Sequence, residues 1–147
     1  MSNLESLRYF APEVFLSLTI ILLLVASLFM RQERNVPSLY YPLGIIALIA
    51  TLLVELSSFT GPAGSGELFR GLLVSDGLGH LFKVLCLVAG VLFLVFSLAA
   101  RETATRFHDA VEYVILALTL TLGMMLLVAA NNILMLYLGM ELLSLTS

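Results

Sequence analysis

Residues 112–147 read EYVILALTLTLGMMLLVAANNILMLYLGMELLSLTS. After Glu112 the only charged residue in this run is Glu141. One membrane crossing takes about 20 residues, so the run is too long for a single span and holds two. Asn131-Asn132 is the break able to turn the chain, and a tight helical hairpin is expected there. Both arms must be helical, because lipid offers no partner to backbone N–H and C=O groups. The second arm then carries a carboxylate, Glu141, near its middle.

The rest of the chain has the same character. Hydrophobic residues make up 61% of it, against about 45–50% in soluble domains. Charged residues are 12%, about half the usual share. The mean hydropathy is +1.08. A soluble chain of 147 residues could not bury so much apolar surface, so the excess requires lipid. The net charge of −3 comes without any basic run, which speaks against nucleic acid as a partner. The one cysteine, Cys86, allows no internal disulfide, and Cys/His zinc spacings are absent. The opening MSNLESLRYFAPEVF lacks the basic start and the cleavage site of a secretory signal, so the first apolar run is expected to be a permanent helix.

Five segments follow from the pattern, at about 12–30, 39–59, 78–100, 113–130 and 133–147. The fold expected is an all-α integral membrane bundle forming a single membrane domain over 1–147. Pro12 suits a first helical turn, and Glu13 beside it faces the positive end of the helix dipole. Tyr40 and Tyr41 sit where an aromatic belt belongs. A Gly/Pro/Ser-rich loop, TGPAGSGELFRG, joins the second segment to the third. The fifth segment spans only ~22 Å, short of the ~30 Å hydrocarbon core. It reads as an incomplete helix, continued in further residues or cut short. Arg31 and Arg34 lie in the first loop and Arg101 and Arg106 in the third, against Arg8 and Arg70 on the other side. The positive-inside rule therefore places the N-terminus outside.

Glu141 is the sharpest functional signal. It lies roughly 12 Å into the fifth segment. A lone carboxylate at that depth costs at least ~2.5 kcal/mol, and such acids usually face a bundle interior and mark ion or proton paths. The plainer alternative is a neutral acid that hydrogen-bonds between helices. Asp76, His80 and Lys83 follow at i, i+4 and i+7 and share one helix face. Two readings stay open for them: a proton-handling set, or a capping Asp, an interfacial His and a snorkelling Lys. Glu55, near the end of the second segment, reads as interfacial, and Glu112 as a dipole-stabilised acid opening the fourth. His108 lies in a loop and carries no specific signal. Gly123 and Gly139 permit close helix approach, and Met124-Met125 reads as packing. No nucleophile–base set, phosphate loop, metal site or cofactor motif stands out.

The run from Glu112 onward resembles one known family. Its E-Y opening, its G-M-hydrophobic-hydrophobic run, its A-N-N hairpin and LYLGMELLSL are similar to subunit N of the proton-translocating NADH–quinone oxidoreductase, respiratory complex I. FAPEVFL resembles the P-E start of that family's first helix, and VSDGLGHLFKVL its third, with the aspartate and lysine in place. The resemblance implies a fourteen-helix antiporter-like subunit, its N-terminus on the outer side, of which this chain represents the first third. Glu141 is then similar to a buried acid that pairs with a lysine on helix seven in a proton relay. Helices six to fourteen, with that lysine, are missing from these residues. The resemblance also implies that NADH, FMN, iron–sulfur clusters and quinone are bound by partner subunits and no cofactor by this chain. The expected partners are the other membrane subunits, the missing helices of the same subunit and the lipid bilayer. The expected location is a cell inner (plasma) membrane that transduces energy.

Two other readings remain at the level of sequence. One is a piece of an Mrp-type cation/proton antiporter or hydrogenase-type membrane subunit. The other is a truncated scaffold that conducts nothing. The absence of tryptophan before Glu141 favours subunit N over its relatives, which usually place one there.

Overall fold

The computed structural model describes residues 10–29, 37–59, 66–68, 73–75, 77–100 and 109–147. Five helices form among them: α1 Ala11–Phe29, α2 Pro37–Phe59, α3 Gly77–Ala100, α4 Asp109–Ala129 and α5 Ile133–Thr146. Two short strands, β1 Gly66–Leu68 and β2 Leu73–Ser75, lie between α2 and α3. They pair antiparallel, with Gly66 opposite Ser75 and Leu68 opposite Leu73. Pairing of these two strands satisfies backbone groups that would otherwise be left to solvent.

The helices start and stop for local reasons. α2 opens on Pro37, where the missing N–H costs nothing. Pro42 follows inside the same helix, close to its start. α5 is capped by Asn132, whose extended backbone (φ −130, ψ 148) lets its side chain accept from the Leu134 N–H. That distance is 3.3 Å. The hairpin expected at Asn131-Asn132 is therefore present, with α4 ending at Ala129 and α5 beginning at Ile133. Hydroxyls inside the apolar helices bond back to the preceding turn, as Thr51 does to the Ala47 carbonyl and Thr121 to that of Ala117, both at 2.8 Å. This keeps them satisfied where water is absent.

The helices run up and down. Near its start α2 meets the end of α3, where the Tyr41 and Ser97 hydroxyls lie 3.4 Å apart. Near the same start, Gly44 lies against Val114 at the beginning of α4. α5 packs chiefly on α4. A core of Leu16, Ile20, Leu23, Leu48, Leu87, Leu94, Val114, Leu118 and Met125 is drawn from α1 to α4 at helical spacing. Most other apolar residues face outward. Leu18, Ile21, Leu22, Ile46, Leu53 and Phe96 are each at least 60% exposed. An apolar surface of this extent belongs against lipid or further helices.

Four helices contain windows long and apolar enough to cross a membrane: Ala11–Leu28, Tyr40–Ser57, Gly77–Ala99 and Val111–Ala129. α5 is a shorter apolar helix. Between helices in lipid there is little hydrophobic drive, so close packing of small residues holds them together. At Gly90 a methyl group would stand 2.6 Å from the Thr121 Oγ1, so α3 and α4 touch there only because Gly90 has no side chain. At Gly139 it would meet the Leu127 backbone nitrogen at 3.3 Å, and α5 lies tightly on α4.

Candidate functional site

The up-and-down order brings the start of α1, the end of α2 and the start of α3 to one end of the bundle. On α1, Glu13 stands three residues before Leu16, on the buried stripe that continues through Ile20 and Leu23. On α2, Glu55 extends the stripe of Leu48 and Thr51. On α3, His80 and Lys83 precede Leu87 on the face that also holds Gly90 and Leu94. The same spacing that buries leucines therefore buries four ionisable side chains.

They form two pairs. Lys83 Nζ makes an ion pair with Glu13 Oε1. His80 Nδ1 lies 2.5 Å from Glu55 Oε1. Glu13 and Glu55 are 1% and 0% exposed, Lys83 3% and His80 9%, so the imidazole is the most accessible member. The two pairs touch electrically. His80 and Lys83 are neighbours at i, i+3 on α3, which sets the two pairs side by side. Glu13 Oε2 and Glu55 Oε2, both buried, accept no hydrogen bond. The set is held by charge but leaves acceptor capacity unused.

Glu141 lies elsewhere. It is on an exposed face of α5, where Gly139 is the buried residue. Tyr137, one turn earlier, donates its hydroxyl to Glu141 Oε1 at 2.5 Å. Among the described residues no cation stands within ion-pair distance of Glu141. These five helices therefore do not enclose the acid in a bundle interior. They present it, with a hydroxyl donor attached, on an apolar surface.

The residues singled out in the sequence thus separate. His80 and Lys83 come together in the buried set, and the snorkelling alternative for Lys83 does not describe it, because its ammonium turns inward to Glu13. Glu55 is enclosed by protein. Glu112 lies in the opening turn of α4 and is exposed. Asp76, His108 and the arginines behind the expected orientation lie outside the described residues. Glu13 and the true setting of Glu55 were missed by sequence reasoning. The available signal was periodicity: Glu13 falls in register with Leu16, Ile20 and Leu23, and Glu55 with Leu48 and Thr51.

No family model matches the chain. Curated relatives do match, over nearly its whole length. The NADH-quinone oxidoreductase subunit N of Chlorobium chlorochromatii is 29% identical over 142 residues, covering 97% of this chain and 27% of the relative. That of Herminiimonas arsenicoxydans is 32% identical, covering 99% of this chain and 29% of the relative. That of Nitrosomonas europaea is 36% identical over 135 residues, covering 92% of this chain and 27% of the relative. The chain spans less than a third of the length of these relatives. The likeness and the four long apolar helices together make this a multi-pass membrane protein.

Proposed function

We propose that this chain is the opening portion of a subunit N, a membrane subunit through which an NADH–quinone oxidoreductase translocates protons as quinone is reduced. Relatives that carry that subunit's name align with almost the whole of this chain. The observation that carries the mechanism is the Tyr137–Glu141 pair: a carboxylate, roughly 12 Å into an apolar helix, held by a hydroxyl and open to whatever packs on that face. An acid so placed binds a proton when alone and gives it up beside a cation. By resemblance, that cation is a lysine from the helices that follow in the longer relatives. Bringing the lysine close, or moving it away, then shifts protons on and off Glu141, because the two titrate as a unit. Tyr137 orients the carboxylate and steadies its charged form.

On this reading NADH, FMN, iron–sulfur clusters and quinone bind to partner subunits. The chain contributes helices, the relay acid and contacts to neighbouring membrane subunits in the energy-transducing membrane. We expect these helices to conduct no protons by themselves, since among the described residues no cation stands beside Glu141.

The test is NADH-driven proton pumping by inverted vesicles carrying the complete subunit, with assembly checked on native gels. Glu141→Gln keeps shape and hydrogen bonding but cannot ionise, so pumping is expected to fall several-fold in an assembled complex. Glu141→Asp, with the acid one methylene shorter, should retain more than Gln. Wild-type pumping by a fully assembled Glu141→Gln complex would leave Glu141 as a structural hydrogen-bonding residue and sink the proposal.

A further inference from the structure

We propose that Glu13, Glu55, His80 and Lys83 form a second proton-exchanging site, separate from Glu141, in which His80 receives a proton at one end of the bundle and shares it with Glu55. Its use in transport rests on the function proposed above; the exchange itself does not.

Four observations carry it. The four side chains come from three helices and converge at one bundle end, so the site is built by the fold and not by one local motif. All are buried, yet they are not matched as a purely structural network would be, because at least one oxygen of each carboxylate accepts no hydrogen bond. His80 is the most exposed of them, at 9%, while its partner Glu55 is fully enclosed. A proton can therefore enter at the imidazole and move inward across a 2.5 Å contact. Lastly, imidazole is the side chain whose ordinary proton affinity lies near neutral pH.

The charge count is simple. With neutral imidazole the unit holds two carboxylates against one ammonium and carries one net negative charge. On uptake, an O–H bond of hydronium breaks and an N–H bond forms on His80, which gives imidazolium beside the Glu55 carboxylate and no net charge. Transfer along the short contact breaks an N–H bond and forms O–H on Glu55, with no further change in charge. Release reverses these steps. Glu13 and Lys83 keep their charges throughout and act as positioning residues that set how readily the proton is held. The described ionisable side chains of α4, Glu112 and Tyr113, lie at its opposite end. α4 instead contributes buried Thr121 and Met125 to the core. Among the described residues no three His, Cys, Asp or Glu side chains converge as a metal site requires, so a proton is the ligand favoured over a divalent cation.

The test uses the full chain purified in lipid bilayers, with infrared difference spectra and net proton uptake recorded across a pH change. Wild type is expected to show an imidazole change coupled to a carboxyl band. His80→Gln should remove the imidazole change, and Glu55→Gln the carboxyl band. Each should take up about one proton fewer per chain. Glu13→Gln should keep both signals but displace them along the pH axis, which a merely structural neighbour would not do. Glu141→Gln removes a carboxyl of its own but should leave the His80 imidazole change intact, since the two sites share no residue. If a single variant fails to fold, Glu55→Gln with His80→Gln removes the pair together and must abolish both signals. Spectra and uptake that are the same in the variants as in wild type would overturn the proposal. So would signals that follow sodium concentration at fixed pH. Loss of pumping in Glu141→Gln with exchange intact would separate the two sites; failure of the pumping test would leave exchange independently measurable.

Discussion

Lys83 illustrates how much a single residue depends on its partner. Its ammonium is buried against Glu13 with almost no exposure of either side chain. Removing one member of such a pair leaves a buried, uncompensated charge, at a cost of about 3–5 kcal/mol, whereas replacing both by neutral groups is often close to neutral. Lys83→Met is therefore expected to destabilise the purified chain by about 3–5 kcal/mol in denaturant unfolding followed by circular dichroism. Glu13→Gln added to it should recover most of the loss. A Lys83→Met chain as stable as wild type would mean that the pair is not buried as described. Lys83 and His80 were visible in the sequence as polar residues sharing a face, but their acids were not. Glu13 sits beside a proline at a helix start and Glu55 near a helix end, positions where an exposed acid is equally at home.

At the scale of the element, contact between helices depends on missing side chains. Gly90 and Thr121 bring α3 and α4 together so closely that a methyl at Gly90 would overlap the threonine hydroxyl at 2.6 Å. Overpacking of this kind costs about 1–3 kcal/mol. Gly90→Ala should lower stability by about that amount, and Thr121→Ala combined with it should restore part of the loss. The measurement is a double-mutant unfolding cycle, and no coupling between the two positions would show that the helices do not meet there. Helix positions were legible from apolar length, and the α4–α5 turn from its two asparagines. The β1–β2 ribbon was not, because its strands are three residues each and carry no alternation long enough to read.

For the whole molecule, orientation is the remaining expectation, and it rests on arginine placement. We expect Ser65→Cys to react with an impermeant reagent from outside the cell and Ser38→Cys to be protected. The opposite labelling would reverse the bundle in the membrane, and would place the Glu13–Glu55–His80–Lys83 end on the cytoplasmic side. The sequence by itself determined that the chain is a helical membrane bundle, where its crossings lie and that Glu141 stands alone in an apolar run. Composition and length suffice for these, since lipid leaves the backbone no alternative to helices. Only the tertiary structure decided which side of each helix meets protein. Lipid-facing and core-facing residues are equally apolar here, as exposed Leu18 and buried Leu16 show, so no polar face marks the inside. That choice, made by packing, closed Glu13 on Lys83 and Glu55 on His80 and left Glu141 on an outer face.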